Sequence, residues 1–140
     1  MPEAVNLLID ERRKQEPHLT KLGTDMAVPD AALDHILPLY RRTLLAAGLE
    51  HVIFGHIGNN HVHVNILSRT MRDYETGKQL YLDWAREVLR LGGTVSAEHG
   101  IGKLKTALLR EMYGAEGIAQ MQAVKRLFDP AGCLNRGNLF

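Results

Sequence analysis

Apolar residues recur along this chain at two spacings, one typical of helices and one typical of strands. Residues 2–16 begin with apolar positions at helical spacing and then become strongly charged, which predicts a helix with one buried stripe. Residues 24–28 form a short apolar run closed by Pro29, which predicts a strand. Asp30 then follows as a candidate N-cap for a helix that runs to about Gly48.

Two more apolar runs, residues 51–56 and 62–67, flank a turn of residues 58–60. The turn is Gly-Asn-Asn, and these residue types tolerate a positive φ angle. The pattern of strand, short turn and strand therefore predicts a β-hairpin.

The second half of the chain is dominated by helical spacings. Residues 74–91 predict a helix that ends at the glycine pair 92–93, and residues 94–97 predict a last short strand. From the first predicted strand onward the order is β-α-β-β-α-β. With right-handed crossovers, this order predicts an α+β fold with a ferredoxin-like, split βαβ antiparallel sheet. Two additional C-terminal helices are predicted over residues 102–113 and 116–128, before an irregular tail.

The composition is that of an ordinary globular protein and narrows the classes of function. We expect residues 1–140 to form a single domain, since 45% are hydrophobic and 24% are charged. The net charge of +1, with basic residues dispersed among acids, argues against a nucleic-acid partner. The lone Cys133 cannot form an internal disulfide, and no apolar run is long enough to span a membrane. We therefore expect a cytoplasmic protein, either free or peripheral to a membrane.

Histidines are concentrated in the predicted hairpin. Four of the seven lie within residues 51–63, and His99 stands beside Glu98 after the last predicted strand. Side chains alternate along a strand, so His61, His63 and Asn65 share one face. The turn could bring His56 toward that face as well.

Two imidazoles and a carboxylate such as Glu98 would give a divalent metal three protein ligands and leave positions open, as in catalytic sites. The alternative is that these histidines are ordinary polar residues on a solvated sheet face. His99 has the chemistry to accept a proton near physiological pH. Its alternative role is to cap the helix that follows. The glycines at 100 and 102 do not form a complete nucleotide-binding fingerprint.

Three motifs carry a resemblance to a known family, in matching order. They are GHIGNNHVHVN at residues 55–65, SAEHGIG at residues 96–102 and FDPAGCLNRG at residues 128–137. Together they resemble the C-terminal domain of FAD-linked oxidases of the vanillyl-alcohol-oxidase superfamily. This group contains D-lactate dehydrogenase, D-2-hydroxyglutarate dehydrogenase and the flavin subunit of glycolate oxidase. The resemblance extends over about residues 21–140.

The resemblance implies a role for six residues. His56, His63 and Glu98 would bind a divalent metal, which could be zinc, manganese or iron, near the substrate. His99 would be the catalytic base. Asn65 would reach the substrate, and a further asparagine, Asn135, would lie near the flavin or its domain.

Two departures from the family pattern affect the site. Asn59-Asn60-His61 stands where many members have Asp-Gly-Asn, so His61 is either an extra metal ligand or a solvent-facing residue. Gly23 stands where some members have a basic residue two positions before the aspartate, here Asp25. Lys21 is a candidate substitute for binding a substrate carboxylate, the alternative being a solvated lysine.

The activity implied is oxidation of a D-2-hydroxy acid of the lactate, glycolate or 2-hydroxyglutarate class to the 2-oxo acid, with the hydride passing to FAD. The chain has no room for an FAD-binding domain, so we expect FAD to be held mainly by a domain of the same or a partner polypeptide, and the isolated chain to be inactive. We also expect a homo-oligomer, because the face that meets that domain would be apolar and exposed. The competing hypothesis is a non-catalytic ferredoxin-like module that binds a metal or a small acid.

Overall fold

The computed structural model describes residues 2–139, which form two compact units divided in sequence between Ala97 and Glu98. The first unit contains three helices and an antiparallel sheet. Its elements are α1 (Pro2–Arg13), β1 (Leu22–Gly23), β2 (Met26–Ala27), α2 (Leu33–Ala46), β3 (His51–His56), β4 (His61–Ile66) and α3 (Met71–Arg90). The second unit contains α4 (Thr106–Phe128) and a C-terminal tail.

Strand β4 lies in the middle of the sheet. It pairs antiparallel with β3 on one side, from His51 opposite Ile66 to His56 opposite His61. On its other side it pairs antiparallel with β1 and β2 in one continuous register. The segment around Thr94 adds to the far side of β2 through an antiparallel bridge to Ala27. This order confirms the predicted α+β fold and fits the β-α-β-β-α-β pattern.

The predicted strand at residues 94–97 is reduced to that single bridge. Thr94 and Ala27 exchange two backbone hydrogen bonds, of 2.9 and 3.1 Å, but the next bond runs from the Ala97 N–H to the Asp25 carbonyl at 2.9 Å. In a regular ladder the Ser96 N–H would donate to that carbonyl, so this segment contains one extra residue. The result is a β-bulge, which interrupts the ladder and changes the direction of the bulged side chains.

The apolar face of the sheet forms the core of the first unit with α2 and α3. Val64 and Ile66 of β4 are almost fully buried, as are the facing helix residues Tyr40 and Trp84. The rings of Tyr40 and Trp84 lie 4.9 Å apart, and the Trp84 indole donates to the Thr43 hydroxyl at 3.0 Å. A buried indole needs such an acceptor, so this bond fixes how the two helices pack.

Helices α2 and α3 begin in different ways. Helix α3 begins with a capping box in which Thr70 and Asp73 satisfy each other's backbone N–H groups. The predicted N-cap role of Asp30 is wrong. Asp30 begins a 3₁₀ turn, and α2 begins after Ala32 without a side-chain cap. The Asp30 carboxylate instead accepts a 2.5 Å hydrogen bond from the Asn60 amide and so braces the hairpin turn.

The second unit contains the two predicted C-terminal helical segments as the two parts of α4. A kink at Gly114, where φ is 65° and ψ is −178°, divides them. The first segment begins at Thr106, four residues later than predicted, because Gly100 and Gly102 adopt positive φ angles of 68° and 58°. The tail is held by the Asp129 carboxylate, which accepts from the N–H of Cys133 at 2.8 Å and is also bonded to Lys125. Within residues 2–139, no helix is long and apolar enough to cross a membrane.

Candidate metal and substrate site

The second face of the sheet carries most of its polar side chains. Residues directly opposite each other in an antiparallel pair project to the same face, and so do every second residue along a strand. The observed register therefore puts nine residues on this face, namely Gly23, Asp25, Ala27, Val52, Phe54, His56, His61, His63 and Asn65.

Three histidines gather at the end of this face nearest the hairpin turn. His56, His61 and His63 each offer a ring nitrogen, and these nitrogens lie within 4.8 Å of one another. The ring centroids are 4.2 Å apart for His61 and His63, 5.8 Å for His56 and His61, and 6.2 Å for His56 and His63. His56 is exposed, His63 is half-buried and His61 is buried. One side of the cluster is therefore open to solvent.

The hairpin turn places His56 and His61 opposite each other. It consists of a 3₁₀ turn, Ile57–Asn59, followed by Asn60 with a φ angle of 53°. Asparagine tolerates this left-handed conformation better than most residues, as the sequence predicts for this turn. Gly55 is required beside the turn, because a Cβ atom there would lie 2.2 Å from the His61 carbonyl oxygen.

The imidazole of His63 is oriented by the backbone. Its Nδ1 lies 2.9 Å from the carbonyl oxygen of Thr24. Since a carbonyl can only accept, Nδ1 carries the proton and the lone pair of the neutral ring is on Nε2. Metal-binding imidazoles are commonly oriented by this kind of outer hydrogen bond. The orientation of His63 and the closeness of the three imidazole nitrogens, its own included, fit a divalent transition metal.

The imidazole of His61 is paired with a carboxylate. Its Nε2 lies 3.0 Å from Oδ1 of Asp25, and the two residues are 0% and 1% exposed. The other carboxylate oxygen, Oδ2, accepts a 3.0 Å hydrogen bond from the hydroxyl of Ser96, which lies in the bulge. The expectation that His61 could be a solvent-facing residue is therefore wrong.

Asn65 and Lys21 lie near each other across Gly23. Asn65 is 2% exposed, and its Oδ1 would be 2.8 Å from a Cβ atom at Gly23. The Cε atom of the exposed Lys21 would be 3.7 Å from that same Cβ atom. The missing side chain of Gly23 thus leaves space for the Asn65 amide and for the stem of Lys21.

Three of the predicted site residues belong to the second unit. Glu98 and His99 are adjacent and exposed, with Oε2 of the first 3.7 Å from Nε2 of the second. Asn135 is exposed in the tail, with a φ angle of 47°. One exposed amide fits a contact with a flavin held by another domain; it does not make a cofactor site.

The sequence did not identify Asp25 as part of the site. The feature that could have identified it is its carboxylate inside the apolar run 24–28, because a buried charge needs a partner. The partner, His61, is distant in the chain and is brought close only by the pairing of β2 with β4, in which His61 lies opposite Ala27.

A comparison with known families decides where this chain belongs. The family model for the C-terminal domain of FAD linked oxidases matches residues 5–139. The chain is a member of this family. The resemblance seen in its three motifs is therefore confirmed.

Curated relatives of this FAD-linked oxidase domain are several times longer than the chain. It is 36% identical over 137 residues to an uncharacterized FAD-linked oxidoreductase of Mycobacterium tuberculosis, covering 95% of this chain and 29% of the relative. It is 32% identical over 133 residues to the mitochondrial D-lactate dehydrogenase (cytochrome) 1 of Saccharomyces cerevisiae, covering 95% and 23%. It is 40% identical over 95 residues to a D-2-hydroxyglutarate dehydrogenase of Stutzerimonas stutzeri, covering 65% and 20%. The chain thus spans less than a third of the length of each.

Proposed function

We propose that this domain completes the substrate site of an FAD-dependent enzyme that oxidises a D-2-hydroxy acid to the 2-oxo acid. The observation that carries the proposal is the grouping of His56, His61 and His63 on one sheet face, with the Asn65 amide two residues further along β4. Family membership supports the FAD chemistry. Relatives named D-lactate dehydrogenase and D-2-hydroxyglutarate dehydrogenase support the substrate class.

His56 and His63, with Glu98 assigned through the family resemblance, are the proposed ligands of zinc, manganese or iron. A divalent metal bound there would lower the pKa of the substrate hydroxyl and stabilise negative charge on its oxygen. The exposed side of His56 leaves room for a substrate to approach.

His99 is proposed to accept the proton of the substrate hydroxyl. A neutral imidazole is suited to this step near physiological pH, and the His99 side chain is 65% exposed and so accessible to a ligand. Bound FAD, held mainly by the FAD-binding domain, would take the hydride from C2. With the proton on His99 and the hydride transferred, the C–O bond becomes the carbonyl of the 2-oxo acid.

Asn65 and Lys21 are proposed to position the substrate. The Asn65 amide can hydrogen-bond a carboxylate or hydroxyl, and the Lys21 ammonium carries the charge that a carboxylate needs. Gly23 leaves space on the same side for both. The two groups would fix the orientation of C2 without taking part in proton transfer.

The proposed partner is an FAD-binding domain of the same or another polypeptide. The second unit exposes several large apolar side chains, namely Leu104, Val124, Leu127, Phe128 and Leu134. Exposed apolar groups of this kind are typical of surfaces that contact protein. In the absence of that domain we expect the chain to self-associate and to be inactive.

The test uses the protein that contains this domain together with its FAD-binding domain. D-lactate, glycolate and D-2-hydroxyglutarate are supplied with an artificial electron acceptor, and turnover and bound metal are measured. We expect one of these acids to be oxidised, and His99→Ala to lower kcat by about 100-fold or more with metal content unchanged. His35→Ala, at an exposed histidine on α2, is the matched control.

Two outcomes would contradict the proposal. Full turnover by His99→Ala would remove the assigned base. Metal binding without oxidation of any 2-hydroxy acid would instead support the non-catalytic binding module.

A further inference from the structure

His61 lies inside the histidine cluster but is not one of the proposed ligands His56, His63 and Glu98. It stands directly opposite His56 across the hairpin and two residues from His63 along β4. All three residues project to the same face, and each has a ring nitrogen within 4.8 Å of the others. The backbone therefore places the His61 side chain next to those of the two proposed ligands, His56 and His63.

The carboxylate of Asp25 contacts the His61 ring. The 3.0 Å contact between its Oδ1 and His61 Nε2 is buried on both sides, and the Ser96 hydroxyl fixes the second carboxylate oxygen. A carboxylate bonded to an imidazole is a common outer partner of a metal ligand, because it orients the ring and makes it a stronger donor. A buried carboxylate is also costly without positive charge nearby. A divalent cation bound at the histidine cluster would supply that charge.

We propose that His61 is a third imidazole ligand of the divalent metal and that Asp25 is its positioning residue. The inference rests on the proposed function for His56 and His63. It goes beyond that function by adding a nitrogen ligand and by naming the carboxylate that contacts it. A set of three imidazoles favours zinc over manganese, since imidazole suits zinc whereas manganese prefers oxygen ligands.

The first experiment counts the imidazole ligands in the unaltered 140-residue chain. The chain is labelled with ¹⁵N at histidine and loaded with ¹¹³Cd(II), and one-bond couplings between cadmium and ring nitrogens are recorded by NMR. We expect couplings to His56, His61 and His63. Couplings to His56 and His63 without His61 would overturn this inference and leave the proposed metal site in place. Absence of coupling to His56 and His63 would overturn both.

The second experiment measures zinc and manganese affinities by competition with a chromophoric chelator. His61→Asn keeps a hydrogen-bond donor but removes the imidazole, and we expect zinc affinity to fall by at least about tenfold, with a smaller change for manganese. Asp25→Asn is expected to weaken zinc by about 10–100-fold. His51→Asn is the matched control, because His51 lies on the same hairpin opposite Ile66 and projects to the other face.

Unchanged zinc affinity in a folded His61→Asn variant would overturn the inference. If that variant does not fold, the cadmium couplings of the unaltered chain decide the question without it. A loss of affinity in His51→Asn equal to that in His61→Asn would also count against it, since the effect would then not come from the shared face.

Discussion

Strand β4 has two shielded faces with opposite chemistry. Val62, Val64 and Ile66 project to one face and are at most 7% exposed. His61 and Asn65 on the other face are also buried, at 0% and 2%. Burial alone therefore does not distinguish a core face from a site face in this sheet.

The two faces differ in what burial does to their free energy. Each fully buried aliphatic side chain contributes about 1.5–3 kcal/mol through removal from water. A buried polar side chain costs free energy unless its hydrogen bonds are replaced. His63 finds such a partner in the Thr24 carbonyl, and the buried His61 ring contacts the Asp25 carboxylate at 3.0 Å. One face therefore stabilises the fold through burial, whereas the buried groups of the other face need partners to offset the cost of their own burial.

The largest expected effect comes from the core face. Ile66→Ala removes a side chain that packs closely against α3, where its Cδ1 would lie 3.0 Å from a Cβ atom at Gly77. We expect the free energy of unfolding to fall by about 2–5 kcal/mol, because a cavity is left. Urea unfolding measures the loss, and zinc affinity of the folded variant should be unchanged. A parallel loss of zinc affinity would show that the two faces are not independent.

The reverse pattern is expected on the site face. His63→Ala removes a proposed ligand, so zinc affinity should fall by more than about 100-fold, or about 2.8 kcal/mol. The free energy of unfolding of the metal-free protein should change by only about 1 kcal/mol, since one hydrogen bond to Thr24 is lost. Chelator competition and urea unfolding of the same samples separate the two quantities. A loss of unfolding free energy as large as that of Ile66→Ala would show that the two faces do not differ in their contribution to stability.

The smallest expected effect concerns a polar group on the helix that covers the core face. Burial, and to a smaller extent the charge of Asp25, raises the pKa of Tyr81 on α3 to about 12. In the unfolded chain a tyrosine loses its proton near pH 10. The folded protein therefore keeps a proton that the unfolded chain has lost, and stability should decrease as the pH rises from about 10 to 12.

Tyr81→Phe should remove this part of the alkaline destabilisation, which is about 1.4 kcal/mol at pH 11. Urea unfolding at pH 8 and pH 11 provides the measurement, and Tyr113→Phe, at an exposed position on α4, is the control. An identical pH dependence in Tyr81→Phe and the unaltered protein would show that Tyr81 is not protected from ionisation.

Local sequence predicted the hairpin and its two faces. The run at residues 51–56 coincides with β3, and the alternation of His61, Val62, His63 and Val64 gave the faces of β4. The burial of His61 could not be predicted in the same way. It depends on β2 pairing with β4. The sequence of one strand alone does not determine its register with a strand that is distant in the chain.

The segments on either side of Glu98 and His99 were predicted less accurately for a related reason. The run at residues 94–97 has the composition of a strand, yet its contacts with β2 include a bulge at Ser96 whose extra residue no periodicity reveals. At residues 100–102 the glycines permit a helix start or a left-handed turn, and the structure has the turn. In both cases local sequence allows several backbone conformations and does not select one of them.

The short loop of the β3–β4 hairpin has a consequence for the order of folding. Hairpins close within about 1–10 μs, and closing a short loop costs little chain entropy. His56, His61 and His63 all lie in this hairpin, so their ring nitrogens can approach one another as soon as it forms. Asp25 joins only when the more distant β2 docks, which requires closure of a much longer loop. The histidine cluster is thus assembled from the most local contacts of the sheet, and its rigidity is added afterwards by the slower long-range pairing.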